Sequence, residues 1–271
     1  GTARHKYASA ESHKHKIVKY GLDIVYKMGS DNDRRLGVVA SYDSFQNIIS
    51  CGRVNTANRL IQKIQLRPTG HDQNQLHLFL GALGQRHGAD LQRKFSSACV
   101  AVCGLGGLGS NVAISLARAA VGTLHLIDFD KVDISNLHRQ QYAVSQLGKY
   151  KTEAMKQILS EITPYCEVVT DTVRLNKENL PLIADCDIIC ECFDSAECKA
   201  MLVNEASELY PEKYVVTASG MSGLYTGNTI QTKRFGSHLY ICGDGTSDIA
   251  KDGTLFAPRV MLCAAHQAHV I

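Results

Sequence analysis

The chain has 271 residues, of which 45% are apolar and 20% charged, with a formal net charge of +3. This composition excludes global disorder and fibrous repeats, and the small charge makes no general case for nucleic-acid binding. No apolar run approaches the roughly 20 residues that a membrane span needs, and no secretory apolar core opens the sequence, so a soluble cytoplasmic protein with no membrane or nucleic-acid partner is the expectation.

In chain order, the first 75 residues differ in texture from the rest. A locally basic start (Arg4, His5, Lys6, then His13 to Lys16) reads as a solvated arm. Ile17 to Met28 alternates like a strand, and Leu36 to Tyr42 is a second short apolar run. Ser44 to Cys51 and Thr56 to Gln65 suggest short helices, the latter with Ala57, Leu60, Ile61 and Ile64 at helical spacing. Arg67 to Asn74, with Pro68 and Gly70, reads as a linker. Residues 1–75 are therefore a small N-terminal segment of uncertain fold and unknown role, and 76–271 a separate domain.

From there strands and helices alternate. Helices are expected over Leu76–Leu83 and Leu91–Phe95, a strand over Ser97–Cys103, a helix over Asn111–Ala120 and a strand over Thr123–Asp128. Lys151–Ile162 carries Met155, Ile158, Leu159 and Ile162 on one helical face. Strands follow at Glu167–Val173, Asp187–Cys192 and Tyr214–Ala218, with a helix over Ala196–Tyr210, and Gly227–Lys233 and His238–Cys242 read as late antiparallel strands. The alternation predicts an α/β, Rossmann-like, mostly parallel sheet with helices on both faces. Ten cysteines without framework spacing, several inside strand patterns (Cys99, Cys103, Cys190, Cys192), read as buried thiols of a reducing compartment.

The chemistry begins at the glycine loop. Gly104, Gly106 and Gly109 satisfy GxGxxG between an expected strand and an expected helix, with Gly107 inside it; such a loop lets backbone approach phosphate, and the helix N-terminus attracts negative charge. Asp128 ends the next strand where a ribose hydroxyl needs an acceptor. Alone this fits any dinucleotide or mononucleotide site, nicotinamide enzymes included. Beyond the strand end stand Asp130, Asn136, Arg139, Gln140 and then Lys151, and cations crowded at one nucleotide end suit phosphate chemistry, where charge develops on phosphate oxygens.

The segments GLGGLGS, LIDFDKVDISNLHRQ, GKYKTEA, ECFDSAE and the late APR, in this order from about Leu83 to the end, resemble the ThiF/MoeB family of ubiquitin-activating-enzyme-like adenylyltransferases. The likeness is greatest to the thiamine-pathway branch, whose members adenylylate the C-terminal glycine of the sulfur carrier ThiS. The resemblance implies ATP and magnesium as cofactors, a homodimer, and a ThiS-like carrier in thiazole biosynthesis as partner. It assigns Gly104 to Gly109 to the phosphates, Asp128 to the ribose, and Asn136, Arg139 and Gln140 to the SNLxRQ polar set. Lys151 becomes a phosphate lysine and Asp194 the magnesium aspartate, while the role of Asp130 is less fixed. Each has a plainer alternative: Asp194 as the cap of the following helix, Asn136 as a turn residue, Arg139 and Lys151 as surface cations. Arg86 is the candidate for the arginine that such dimers insert into the partner's site, with Arg93 as rival.

Departures from the pattern carry expectations of their own. Many relatives hold zinc on two CxxC pairs; here only Cys242, Cys263 and His266 remain, so zinc is doubtful. No cysteine lies between Gly243 and Ala257 where a conjugating thiol is expected, which implies that the chain stops at the adenylate and a separate sulfur donor follows; Cys190, Cys192 and Cys198 read as buried thiols beside a strand end. Other carboxylate substrates (a molybdopterin carrier, a ubiquitin-like protein, a tRNA threonylcarbamoyl group) and a non-catalytic nucleotide-binding scaffold are the alternatives.

Overall fold

A computed structural model of the chain describes residues 81–163 and 165–271 in full, and β1 (Ile17–Tyr20) and β2 (Ile24–Lys27) by their backbone. The chain divides into two compact units, Gly1–His77 and Leu78–Ile271. In the first, β1 and β2 pair antiparallel with Val18 opposite Tyr26. The run read as one strand over 17–28 is thus two, because Gly21 and Asp23 interrupt the β-branched pattern. The readings at Leu36–Tyr42, 44–51 and 56–65, the basic arm and the linker Arg67–Asn74 lie outside the described residues, as do His5, His13, His15 and positions 76–80.

In the second unit residues 81–87 are helical, and Gly88, at φ 86°, separates them from α1 (Ala89–Ser97) in a conformation that a side chain would resist. The elements that follow are β3 (Cys99–Cys103), α2 (Gly107–Arg118), β4 (Thr123–Ile127), α3 (Lys151–Ile162), β5 (Glu167–Asp171) and β6 (Ile188–Glu191). Next come α4 (Ala196–Leu209), β7 (Tyr214–Ala218), β8 (Gln231–Phe235), β9 (Leu239–Gly243) and α5 (Ala257–Val270). The sheet order is β5-β4-β3-β6-β7-β9-β8; every neighbouring pair is parallel except β8 with β9. The two late strands are antiparallel to each other as expected, while β9 also extends the parallel sheet beside β7.

Successive residues of β3 serve opposite faces. Val100 and Val102 pack with Leu124 and Leu126 against Val112 and Leu116 of α2, Met155 and Leu159 of α3, and Val260 and Cys263 of α5. Ala101 and Cys103 join Ile127, Ile189 and Val215 under Leu180, Ile183 and Leu202. Burial on both faces explains why the strands read as continuous apolar runs rather than alternating ones; each fully buried aliphatic side chain contributes about 2 kcal/mol.

The chain leaves β3 toward β4 and β5 on one side, then crosses to β6 and β7 on the other. The crevice between the carboxyl ends of β3 and β6 is therefore the topological switch point, where open α/β sheets bind ligands. No described helix is long and apolar enough to cross a membrane.

Candidate active site

Three of the four motif glycines are required by packing or conformation, and the fourth leaves room. Gly104 sits at φ 96°, and a Cβ there would lie 2.9 Å from the Cys192 carbonyl oxygen and 3.1 Å from the Phe193 ring. One at Gly109 would lie 1.8 Å from the Gly104 oxygen, and one at Gly107 would meet Val260 at 3.0 Å and the Arg139 stem at 3.4 Å. At Gly106 the nearest atom is Gln140 Nε2, 3.9 Å away. Gly106 caps α2 without a side-chain hydrogen bond, so the N–H groups of the first turn keep their donor capacity beside that open space.

Asp128 ties the loop to the next strand. Its Oδ2 accepts from the Leu105 N–H at 2.6 Å and its Oδ1 from the Asp130 N–H at 2.7 Å. The Tyr142 hydroxyl donates to the Leu105 carbonyl at 2.9 Å. Burial pushes the Asp128 carboxyl up from its ordinary value, against the downward pull of Lys151 and of the two backbone N–H groups. Lys151 opens α3, where the helix dipole disfavours a cation, and is held there by carboxylates: its Nζ is 2.9 Å from Asp130 Oδ2 and 3.9 Å from Asp128 Oδ2, and it is only 5% exposed. The plainer reading of Lys151 as a surface cation is thereby corrected, and Asp130 gains a definite task.

The polar set forms a second wall. A 3-10 turn, Ile134–Asn136, is capped by Asp133, which accepts from the Ser135 N–H at 2.8 Å. Arg139 Nη2 donates to Asn136 Oδ1 at 2.9 Å, and both Arg139 and Gln140 donate backbone N–H groups to the Asn136 carbonyl. Gln140 is 7% exposed and its Oε1 is buried without a hydrogen-bond partner, a costly state that a ligand or water would relieve. Asn111, which the sequence reading passed over, joins this wall to α2: its Nδ2 donates to the Gly107 carbonyl at 2.6 Å and to that of Arg139 at 3.3 Å, and its Oδ1 accepts from Gln141. A polar residue on the buried side of an apolar helix was the available signal.

Asp194 stands on the turn between β6 and α4, exposed, with no hydrogen bond or ion pair to a described residue. It does not cap α4; Ser195 does, accepting from the Cys198 N–H. Its turn abuts the glycine loop through Cys192 and Phe193. Arg86 is exposed on the helical stretch 81–87, and Arg93 pairs with Asp90 one turn away.

Cys242 and Cys263 are fully buried, and Thr232 Oγ1 lies 3.5 Å from the Cys242 sulfur and 3.0 Å from His266 Nδ1. Among the described residues no three His, Cys, Asp or Glu side chains converge as a metal set. Cys190 and Cys192 are buried with sulfurs 3.6 Å apart, and the contact with Cys192, together with burial, pushes the Cys190 thiol well up. Cys198 is half-buried, its sulfur 3.9 Å from Arg174 Nη2. The APR arginine is structural here: Arg259, 3% exposed, donates to the carbonyls of Ser222, Tyr225 and Thr226 and pairs with Asp244.

A model of the ThiF family matches residues 80–268. Adenylyltransferase and sulfurtransferase UBA4 of Candida glabrata is 39% identical over 132 residues, 48% of this chain and 30% of that protein. Adenylyltransferase and sulfurtransferase MOCS3 of Drosophila virilis is 35% identical over 136 residues, 49% and 30% of the two chains. The matched stretch thus spans under a third of these curated relatives. Among solved structures, E. coli tRNA N6-threonylcarbamoyladenosine dehydratase TcdA in complex with ATP superposes with a TM-score of 0.64 at 21% identity, covering 72% of this chain and 92% of that one. E. coli MccB with succinimide gives 0.51 at 20% identity, over 94% and 85%.

Proposed function

Because the chain belongs to the ThiF family, we propose that it is an ATP-dependent adenylyltransferase that joins AMP to the C-terminal carboxylate of a small sulfur-carrier protein and releases pyrophosphate. The observation that carries this reading is the open face of Gly106 at the start of α2, with Arg139 beside the adjoining Gly107 and the Gln140 amide nitrogen as the nearest atom to Gly106. Phosphates laid there meet helix N–H groups and a cation, which is what developing negative charge requires. A nicotinamide enzyme also binds a pyrophosphate on such a loop, but no charge develops on it during hydride transfer, so the added cations favour the phosphate reaction.

In the reaction a carboxylate oxygen of the carrier attacks the α-phosphorus, a P–O bond forms, and the bond to the departing pyrophosphate breaks. The attacking carboxylate is already ionised near neutral pH, so no protein base is needed. The chain's own groups position and neutralise: Asp128, fixed by Leu105, accepts from the ribose; Lys151, pinned by Asp130, and Arg139, pinned by Asn136, draw the phosphates; Phe129, half exposed between the two aspartates, offers a flat apolar surface to the base. Asp194 fits magnesium, since it is an exposed hard-oxygen donor that no described residue occupies. Magnesium, when bound, would neutralise phosphate charge.

The carrier belongs to a broader class than the ThiS-like protein that the resemblance implies. The curated relatives are named adenylyltransferase and sulfurtransferase, which favours a sulfur-carrying or ubiquitin-like partner in general over ThiS in particular. Arg86 is the residue we assign to the partner's site in a homodimer. ATP–pyrophosphate exchange with ThiS-like, molybdopterin-type and ubiquitin-like carriers, and with threonylcarbamoyl tRNA, identifies the substrate. Asp194→Ala and Arg139→Ala should each lower the exchange rate by at least about two orders of magnitude, the equivalent of about 3 kcal/mol for one lost transition-state donor. Near-normal exchange in either would remove that residue from the site.

A further inference from the structure

The least exposed charge in the described residues does not belong to the site assigned above. Glu191, the last residue of β6, is 0% exposed. Lys199 Nζ of α4 lies 3.1 and 3.0 Å from its two carboxylate oxygens, the Thr217 hydroxyl of β7 donates to Oε2, and the Phe193 N–H donates to Oε1 at 2.6 Å. Its carbonyl accepts from Gln267 Nε2 of α5 at 3.0 Å. Three elements and the turn after β6 thus converge on one residue, three positions before Asp194.

A buried ion pair adds little net stability, since an apolar substitute of the same shape does as well or better. What this one fixes is direction. By holding the Phe193 N–H, the carboxylate folds the chain back just before Asp194, and by holding Lys199 it anchors the first turn of α4 just after. The same turn presents the Cys192 carbonyl and the Phe193 ring to Gly104, so Glu191 sets the glycine loop and Asp194 at a common spacing. We propose that Glu191, with Lys199 and Thr217, is the positioning residue that aims the Asp194 carboxylate at the metal–phosphate position; this rests on the adenylyltransferase reading of Asp194. Glu191 touches neither substrate nor metal.

Glu191→Gln in the full chain keeps an acceptor for the Phe193 N–H and releases Lys199, and Thr217→Val removes one hydroxyl with little change of shape. Binding of Mn2+ in the presence of a non-hydrolysable ATP analogue should weaken about tenfold in Glu191→Gln and about threefold in Thr217→Val. ATP binding without metal should stay within twofold of the parent, and Lys199→Arg, which keeps the pair, should bind Mn2+ as the parent does. Parent-like Mn2+ binding in folded Glu191→Gln, or in Thr217→Val if the former does not fold, overturns the positioning role when Asp194→Ala abolishes that binding. If Asp194→Ala binds Mn2+ as the parent does, the metal assignment of Asp194 falls, and the positioning role with it.

Discussion

Asp128 is an acid whose surroundings work against its charge. Because its folded-state value is raised by burial, it takes up a proton at a higher pH than a free carboxyl does, and the protonated form loses its attraction for Lys151. ATP affinity should therefore fall as pH drops, starting above the ordinary carboxylate range, and Asp128→Asn should flatten that limb while weakening binding at neutral pH; calorimetric titration across pH 4–8 reads both. Asp244 is the opposite case. Burial would raise it, but the N–H groups of Ser247 and Thr246, the Ser247 hydroxyl and Arg259 hold it at about 2. Its contribution to stability is present above the unfolded value of about 4 and is lost as pH falls from there through about 2. Asp244→Asn should lower the melting temperature at pH 7 and leave it less altered near pH 2. At this scale the sequence exposed the charged groups of the site but not their anchors: Glu191, Lys199 and Asn111 act in part through partners as far as 28 and 76 positions away, a pairing that only the folded chain creates.

At the scale of elements, the glycine loop divides into parts that hold the fold and a part, Gly106, that is left open to the crevice. Gly109→Ala would set a methyl carbon 1.8 Å from the Gly104 oxygen and should cost about 3 kcal/mol or more. Gly106→Ala should cost within about 1 kcal/mol of stability but weaken ATP binding at least tenfold, because the added methyl occupies the open face. Denaturant melts and nucleotide titrations of the two variants separate these effects, and equal stability losses would contradict the division. The same loop shows why some boundaries were legible and others were not. α3 falls where periodicity puts it, because its apolar face matches the helical period, and β7 falls where a short continuous apolar run puts it, because residues on both of its faces are buried. α2 begins at Gly107 rather than Asn111, since intrinsic propensity argues against Gly-Leu-Gly in a helix and only the fit against Gly104 and Val260 overrides it. The late strand begins at Gln231 rather than Gly227, because Thr226 caps a 3-10 turn over Gly227–Thr229 that an apolar pattern does not reveal.

At the scale of the molecule, one architectural fact organises the rest: β3 stands between β4 and β6, and the chain departs from it in both directions. The loop after β3, the acidic end of β4, the polar wall that follows and the turn after β6 consequently open at the carboxyl ends of adjacent strands. Sequence alternation made the parallel sheet legible, but the partnership of β9 with β7 was not, since strand order is a long-range property. The central claim is that this crevice makes an acyl-adenylate, and the mass of the carrier tests it most directly. Incubated with the full chain, ATP and magnesium, the cognate carrier should gain one AMP moiety, at its C-terminal carboxylate and in no other place, and the gain should vanish with Arg139→Ala. A cognate carrier that binds the chain together with ATP and yet keeps its original mass would contradict the account.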